Sequence, residues 1–355
     1  MKSIREKLKS SKVYLYGAGN IGISLYQSIK GQINIYAFLD SKAKTIAIEG
    51  MDVLNPFEES INTHNTFVIV SIFNRAFNFD SIKIQLNQVG FDEVISYIEF
   101  YPFLKKKNTD WFWLSNNLEY LNKKSEIELV SKLFEDNKSR KIFASTIMAR
   151  RNFSYSMLPS PDPIHDQYFS KDIPLNEFDN FVDCGAYNGD TLDILIDQQI
   201  GFKKIYAFEP DLNNFTELTG KIKKYDLSAI LYPCGVYSSN ILLNFGGGAN
   251  EGSTIHEGGS THIQCVALDD ILINELSKST YLKMDIEGSE LEALKGGANL
   301  IKKLNPDLAI CLYHKPDDIL TIPLFIQSLG SYTFYLRQYG YYGMELVLYA
   351  IKKSM

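Results

Sequence analysis

Apolar residues in this chain fall into short runs that alternate with amphipathic stretches. Residues 13–16 read as a buried strand, broken by Gly17-Ala18-Gly19-Asn20-Ile21-Gly22, then a helical stretch through Ile29 and a strand at 33–39 that ends at Asp40. Strand-like runs at 66–71 and 93–97 complete an α/β unit of about 100 residues. From 111 to 151 the spacing changes. Ile127, Val130, Leu133 and Phe134 recur at helical intervals among Glu and Lys, which predicts a helical connector. Its basic positions, Arg140-Lys141 and Arg150-Arg151, read as a solvated face. Pro159, Pro161 and Pro163 then exclude a helix.

A second alternating unit follows. A strand reaches Asp183, a turn occupies 185–189 and a helix spans 191–198. Further strands are expected at 204–208, 229–232, 261–267, 281–284 and 307–314, with helices at 213–224 and 289–304. The chain closes with strand runs at 332–336 and 345–351, which predict an antiparallel hairpin at the sheet edge. The expected fold class is α/β: a doubly wound, mostly parallel, seven-stranded Rossmann-like sheet preceded by a smaller Rossmann-like α/β domain. The expected boundaries are 1–105, 106–165 for the connector, and 166–355.

Composition narrows the function. The chain has 355 residues, and 36 Lys+Arg against 42 Asp+Glu give a net charge of −6, which argues against a dedicated nucleic-acid binder. No apolar run approaches the ~20 residues of a membrane span, and no apolar segment follows the basic N-terminus as a secretory signal requires. Cysteines 184, 234, 265 and 311 form no CxxC pair, so neither a disulfide scaffold nor a zinc ribbon is expected. Reduced thiols and a cytoplasmic location are the expectation, and a homo-oligomer is compatible with this composition.

The strongest chemical signal is Asp183-Cys184-Gly185-Ala186-Tyr187-Asn188-Gly189-Asp190-Thr191, which leaves a strand and opens a helix. Glycines there let the backbone approach a ligand, and the helix start offers free N–H groups. The next strand ends in Phe208-Glu209-Pro210, placing Glu209 24 residues after Gly185, where an acid accepts hydrogen bonds from both hydroxyls of an adenosine ribose. Any doubly wound domain has a tight first turn; the paired acid gives the signal its weight. In Tyr281-Leu282-Lys283-Met284-Asp285-Ile286-Glu287-Gly288-Ser289-Glu290, Asp285 stands on a strand tip and is assigned to the site. Glu290 is read as a first-turn carboxylate that complements the helix dipole.

These segments resemble the FkbM family of S-adenosylmethionine-dependent methyltransferases. The resemblance covers roughly 129–351, in the stretches 181–191, 207–210, Leu268-Asp269-Asp270 and 282–294. A two-domain branch shares Gln167-Tyr168-Phe169, 313–318 and the closing 345–351. It implies methyl transfer from S-adenosylmethionine to a hydroxyl oxygen of a sugar, nucleotide sugar, glycan precursor or glycosylated natural product. Position by position it implies a cofactor site of Tyr168, Asp183, Gly185, Ala186, Tyr187, Asn188, Gly189, Thr191, Glu209, Pro210, Cys234, Gly235, Val236 and Asp285. Arg337-Gln338-Tyr339 departs from the Arg-His-Tyr of the family, so a histidine role there is lost.

His314 is the expected general base, ending the strand beside the one that ends in Asp285. Asp285 would orient the imidazole or hold a divalent ion. Mg²⁺ or Mn²⁺ at Asp285 and a neighbouring acid is admitted, but no motif supports it. His256 and His262, flanking Glu257, match no metal-ligand spacing, and His64 and His165 carry no motif.

Gly17-Ala18-Gly19-Asn20-Ile21-Gly22, with Asp40 18 residues after Gly22, is a well-placed dinucleotide fingerprint. The domain resembles the small nucleotide-sugar-binding domain of certain bacterial sugar acyltransferases. Nucleotide binding, NAD(P)-dependent dehydrogenase or epimerase chemistry on a nucleotide sugar, and a purely structural role are the readings of this motif. A non-catalytic nucleotide-binding protein is the remaining rival for the whole chain.

Overall fold

Strands form where β-branched and aromatic residues cluster, and helices cover both faces of the sheets, so the central strands are apolar on both sides rather than alternating. Thr66–Val70, Thr280–Met284 and Asp307–Cys311 are buried at every residue. The structure, a computed structural model, describes residues 4–42, 46–58, 61–104, 111–246, 254–255, 261–277 and 279–353. It divides into two compact units. The first comprises Met1–Leu118, Ser145–Pro159 and Gly340–Met344, and the second Glu119–Ala144, Ser160–Tyr339 and Glu345–Met355. The stretch 106–165, expected as a connector, is thus shared between the units and contains the helices Lys124–Leu133 and Asn137–Asn152.

In the first unit, β1 (Lys12–Tyr16), β2 (Ile35–Leu39), β3 (Ala47–Ile48), β4 (Met51–Leu54), β5 (Thr66–Val70) and β6 (Glu93–Ser96) form one sheet in the order β3-β4-β2-β1-β5-β6. All its pairings are parallel except β3 with β4. The chain leaves β1 for β2 on one side and returns to β5 on the other, so the sheet switches direction beside Gly17. Arg150 was expected in a solvated face. It is instead buried, its guanidinium 5.0 Å from the ring centre of Trp113, because a delocalised cation is well accommodated on an indole face.

In the second unit the strands are β7 (Asn180–Cys184), β8 (Lys204–Phe208), β9 (Ala229–Tyr232), β10 (Gly235–Val236), β11 (Ile241–Gly246), β12 (Thr254–Ile255), β13 (Thr261–Val266), β14 (Thr280–Met284), β15 (Asp307–Cys311), β16 (Tyr332–Gln338) and β17 (Leu346–Lys352). Seven of them form the main sheet in the order β16-β17-β15-β14-β7-β8-β9. Only β17 runs against the others, pairing antiparallel with β15 and β16. Its switch point lies between β7 and β14. The strand expected at 261–267 joins a separate small sheet, β10-β13-β11-β12, because β11 offers it an antiparallel edge. The helix expected over 289–304 is two helices, Glu290–Gly296 and Ala298–Leu304. Gly296 lies against the Tyr237 carbonyl, where a Cβ would come to 2.1 Å, and the break follows at Gly297. Among the described residues no helix is long and apolar enough to cross a membrane.

Candidate active site

The glycine turn after β7 exists because two strand tips meet there. Gly185 has φ +81°, and a Cβ on it would lie 1.9 Å from the Asp285 carbonyl oxygen, so only glycine lets β7 and β14 come this close. Gly185 N and Ala186 N both donate to Phe208 O at 3.0 Å. Gly189, at φ +82°, ends the turn and leads into the helix Asp190–Asp197. Beneath the turn, Lys283 stands opposite Asp183 in the β14–β7 register. Its ammonium lies 3.0 Å from Asp183 Oδ1 and donates to Gly185 O at 2.7 Å. Burial pushes the Asp183 carboxyl up to about 6, with Lys283 opposing. Asp183 has no exposed surface and faces the Lys283 ammonium that holds the turn.

Glu209 follows the last residue of β8. Its Oε2 accepts from Tyr187 N at 2.9 Å and its Oε1 from Asp211 N at 2.8 Å. Burial raises its pKa against those two bonds and one from the Asn214 side chain. A carboxylate offers about four acceptor sites, so capacity for a further donor remains. Pro210 leads away from Glu209. Cys234, Gly235 and Val236 follow β9 along the same sheet edge, all buried, with Cys234 N donating to Tyr232 O. In the turn itself Ala186 and Thr191 are buried and Tyr187 is exposed at φ +46°. The buried Oδ1 of Asn188 has no hydrogen-bond partner.

Asp285 follows β14, and its N–H donates to Cys184 O at 3.0 Å. Its Oδ2 accepts from Tyr168 OH at 2.7 Å and its Oδ1 from Tyr313 OH at 3.4 Å. His314 Nε2 lies 3.4 Å from Asp285 Oδ1 and 3.5 Å from Glu287 Oε2, while Nδ1 lies 2.8 Å from Glu290 Oε1. Burial alone would lower the His314 pKa. Glu290 first, then Glu287 and Asp285, override it and hold it at about 10. The three carboxylates favour the protonated imidazole, which weighs against His314 as the general base. Nor does His314 end a strand: β15 stops at Cys311. Burial, with Asp285 and Glu290 nearby, raises Glu287 to about 7.

The sequence reading missed Lys283 and Glu287 and gave Glu290 only its dipole role. Glu290 is fully buried, and its Oε1 accepts from Ile286 N and Gly288 N as well as facing His314. Glu345, also buried, accepts from Gln167 at 2.6 Å and from Tyr313 OH at 3.3 Å. The one available signal was the density of acids over 285–290. Asp285, Glu290 and His314 each offer one ligand atom within 4.8 Å of the others, the set that would hold a divalent ion. His262 is exposed on β13, His64 and His165 are exposed, and His256 and Glu257 lie outside the described residues.

Comparison with known proteins agrees with this geometry. A family model described as the methyltransferase FkbM domain matches residues 183–341. The hexuronic acid methyltransferase AglP of Haloferax volcanii is 30% identical over 105 residues, 28% of this chain and 44% of that protein, so the match spans less than half the relative's length. The crystal structure of a methyltransferase FkbM from Methylobacillus flagellatus superposes with a TM-score of 0.76 at 17% identity, covering 98% of this chain and 92% of that one, which shows a shared fold. The glycine turn, the strand-tip acids and His314 all lie inside the segment that matches the methyltransferase FkbM domain.

Proposed function

We propose that the second unit transfers the methyl group of S-adenosylmethionine to a hydroxyl oxygen of a sugar or glycan precursor. The observation that carries this reading is the convergence, at one sheet edge and around one switch point, of the Gly185 turn, Glu209 and the Asp285–His314 cluster. The residues fit the cofactor by their chemistry. Glu209 keeps acceptor capacity for a ribose hydroxyl, and Asn188 Oδ1 meets no hydrogen-bond donor among the described residues. The Asp285 carboxylate at the strand tip, held by Tyr168 OH, offers a negative charge beside which a sulfonium can sit. When bound, the cofactor supplies an electrophilic methyl with its own leaving group.

The chain's own residues then align the acceptor hydroxyl and take its proton. Asp285 is suited to the second task, because its side chain is one-fifth exposed and Tyr168 OH and Tyr313 OH fix its orientation. His314 positions Asp285 and offsets the charge of its neighbours. The sugar class rests on the archaeal relative, named for hexuronic acid. The deciding experiment offers labelled S-adenosylmethionine with a panel of uronic acids, neutral sugars and their nucleotide conjugates, and locates the methyl by fragmentation. Transfer to a sugar oxygen supports the reading; transfer only to a nitrogen or carbon acceptor ends it. In the same assay, activity abolished by EDTA and restored by Mg²⁺ would move activation of the hydroxyl from the Asp285 carboxylate to an ion.

A further inference from the structure

The methyltransferase reading leaves the glycine turn of the first unit unused, and its backbone contacts follow the plan of the second. Gly17 N donates to Leu39 O at 2.8 Å and Ser71 N to Tyr16 O at 2.8 Å. The counterparts are Gly185 N to Phe208 O and Asp285 N to Cys184 O, both at 3.0 Å. Asp40, the residue after β2, accepts from Ala18 N at 3.0 Å and Lys42 N at 2.8 Å, one main-chain bond on each oxygen, as Glu209 does. Each oxygen of Asp40 therefore keeps capacity for a ribose hydroxyl.

Three glycines are present, and close packing requires only two of them. Gly17 has φ +109°, and a Cβ on it would lie 2.8 Å from Ile72. A Cβ on Gly22 would lie 1.9 Å from Gly17 O, where the helix Asn20–Ile29 packs on the strand tip. Gly19 is different. Its backbone is extended, at φ −84° and ψ −171°, which any residue adopts, and a Cβ on it would meet nothing within 4 Å. Glycine is a favoured N-cap, but packing among the described residues leaves the space above it open, room that a diphosphate passing over the backbone would fill. Electrostatics agree. The helix Asn20–Ile29 has no acid in its first turn and no side-chain cap, so its first N–H groups face that open space. The corresponding helix of the second unit opens with Asp190 and Asp193, which would repel a phosphate.

We infer that Gly17–Gly22 and Asp40 form a second ligand site, for a ribonucleoside diphosphate: the ribose on Asp40, the diphosphate over Gly19 and the start of the helix. The tip of β5 carries Ser71, which is buried with its hydroxyl bonded to Tyr16 O and Gly17 O, so where the second unit has Asp285 this one has a hydroxyl spent on the main chain. This inference is independent of the methyltransferase reading.

The full chain is titrated calorimetrically with UDP-glucose, GDP-mannose and NAD⁺, each up to about 1 mM. Saturable binding of at least one is expected. Gly19→Val, which fills the open space without disturbing the backbone, and Asp40→Asn should each weaken it about tenfold or more, with S-adenosylmethionine binding unchanged and the fold retained. Preference for a sugar nucleotide identifies the ligand as a nucleotide sugar, and preference for NAD⁺ identifies it as a dinucleotide. No binding to any of the three, or binding that neither substitution weakens, overturns the inference. So does binding lost with Glu209→Ala, because the ligand then occupies the second unit.

Discussion

Ser71 in the first unit and Asp285 in the second occupy the same place: each follows the strand beside the switch point, and each donates its N–H to the last-but-none carbonyl of the neighbouring first strand, Tyr16 or Cys184. Around Ser71 the hydrogen bonds close on the main chain. Around Asp285 they extend outward through Tyr168, Tyr313 and His314 to Glu287 and Glu290. One backbone plan thus serves two purposes. On the proposed readings, the turn and the strand-tip acid hold a ligand, and the titratable network at the neighbouring tip adds chemistry.

The largest effect that would sharpen this contrast is on turnover. Asp285→Asn should lower it by about 10²–10⁴-fold with S-adenosylmethionine affinity nearly intact, while Ser71→Ala should leave it within about twofold. Near-normal turnover of Asp285→Asn would erase the distinction between the tips. His314→Asn should also lower turnover. Because its proton is held up to about 10, the wild-type pH profile should contain no step near 6.5 that this variant removes. Such a step would restore His314 as the base.

Next is backbone strain. Gly185→Ala combines a left-handed conformation with a clash at the Asp285 carbonyl and should cost about 3 kcal/mol in denaturant unfolding. Gly19→Ala, at a helix N-cap that favours glycine over alanine but with no clash, should cost at most about 1 kcal/mol. Similar losses at the two glycines would mean that both serve packing. Smaller again, Glu209→Ala should weaken S-adenosylmethionine binding by about tenfold, from the roughly 1–3 kcal/mol of leaving ligand hydroxyls unpaired, and Asp40→Ala should not.

The smallest effect lies near the second unit's edge hairpin. Arg337, buried, donates to Asp136 at 2.7 Å and to Asp172 at 3.0 Å. Although partial burial opposes it, this pairing lowers the Asp172 carboxyl to about 2. A depressed carboxylate contributes stability above its unfolded pKa and loses it as pH falls through the folded one, here from about 4 toward 2. Asp172→Asn should therefore cost at most about 1 kcal/mol at pH 7, since the carboxylate is half exposed, and nothing near pH 2. Equal loss at both pH values would mean that packing, not charge, is the contribution.

The alternation of apolar runs was enough to read the seven strands of the main sheet and the terminal hairpin from the sequence, because parallel strands covered on both faces must be continuously apolar. Gly185, Gly189 and Glu209 were legible for a similar reason. A tight turn followed by an acid at the next strand tip is a local pattern, and the parallel register carries it to one edge. Lys283 was not legible, because a lysine within a strand reads as an edge or solvent position until β7 places Asp183 opposite it. Nor was the true part of Glu290. Its spacing fits a first-turn carboxylate equally well, and only the segment after β15 brings His314 within 2.8 Å of it. Proton affinity at His314 was the furthest from reach: three carboxylates against one buried imidazole is a sum over distances, and those distances belong to the folded chain alone. The sequence by itself therefore determined the fold class, the glycine turns and the strand-tip acids, which depend on local pattern. The tertiary structure decided the strand order and which carboxylates surround His314, because both depend on what packs together from distant parts of the sequence.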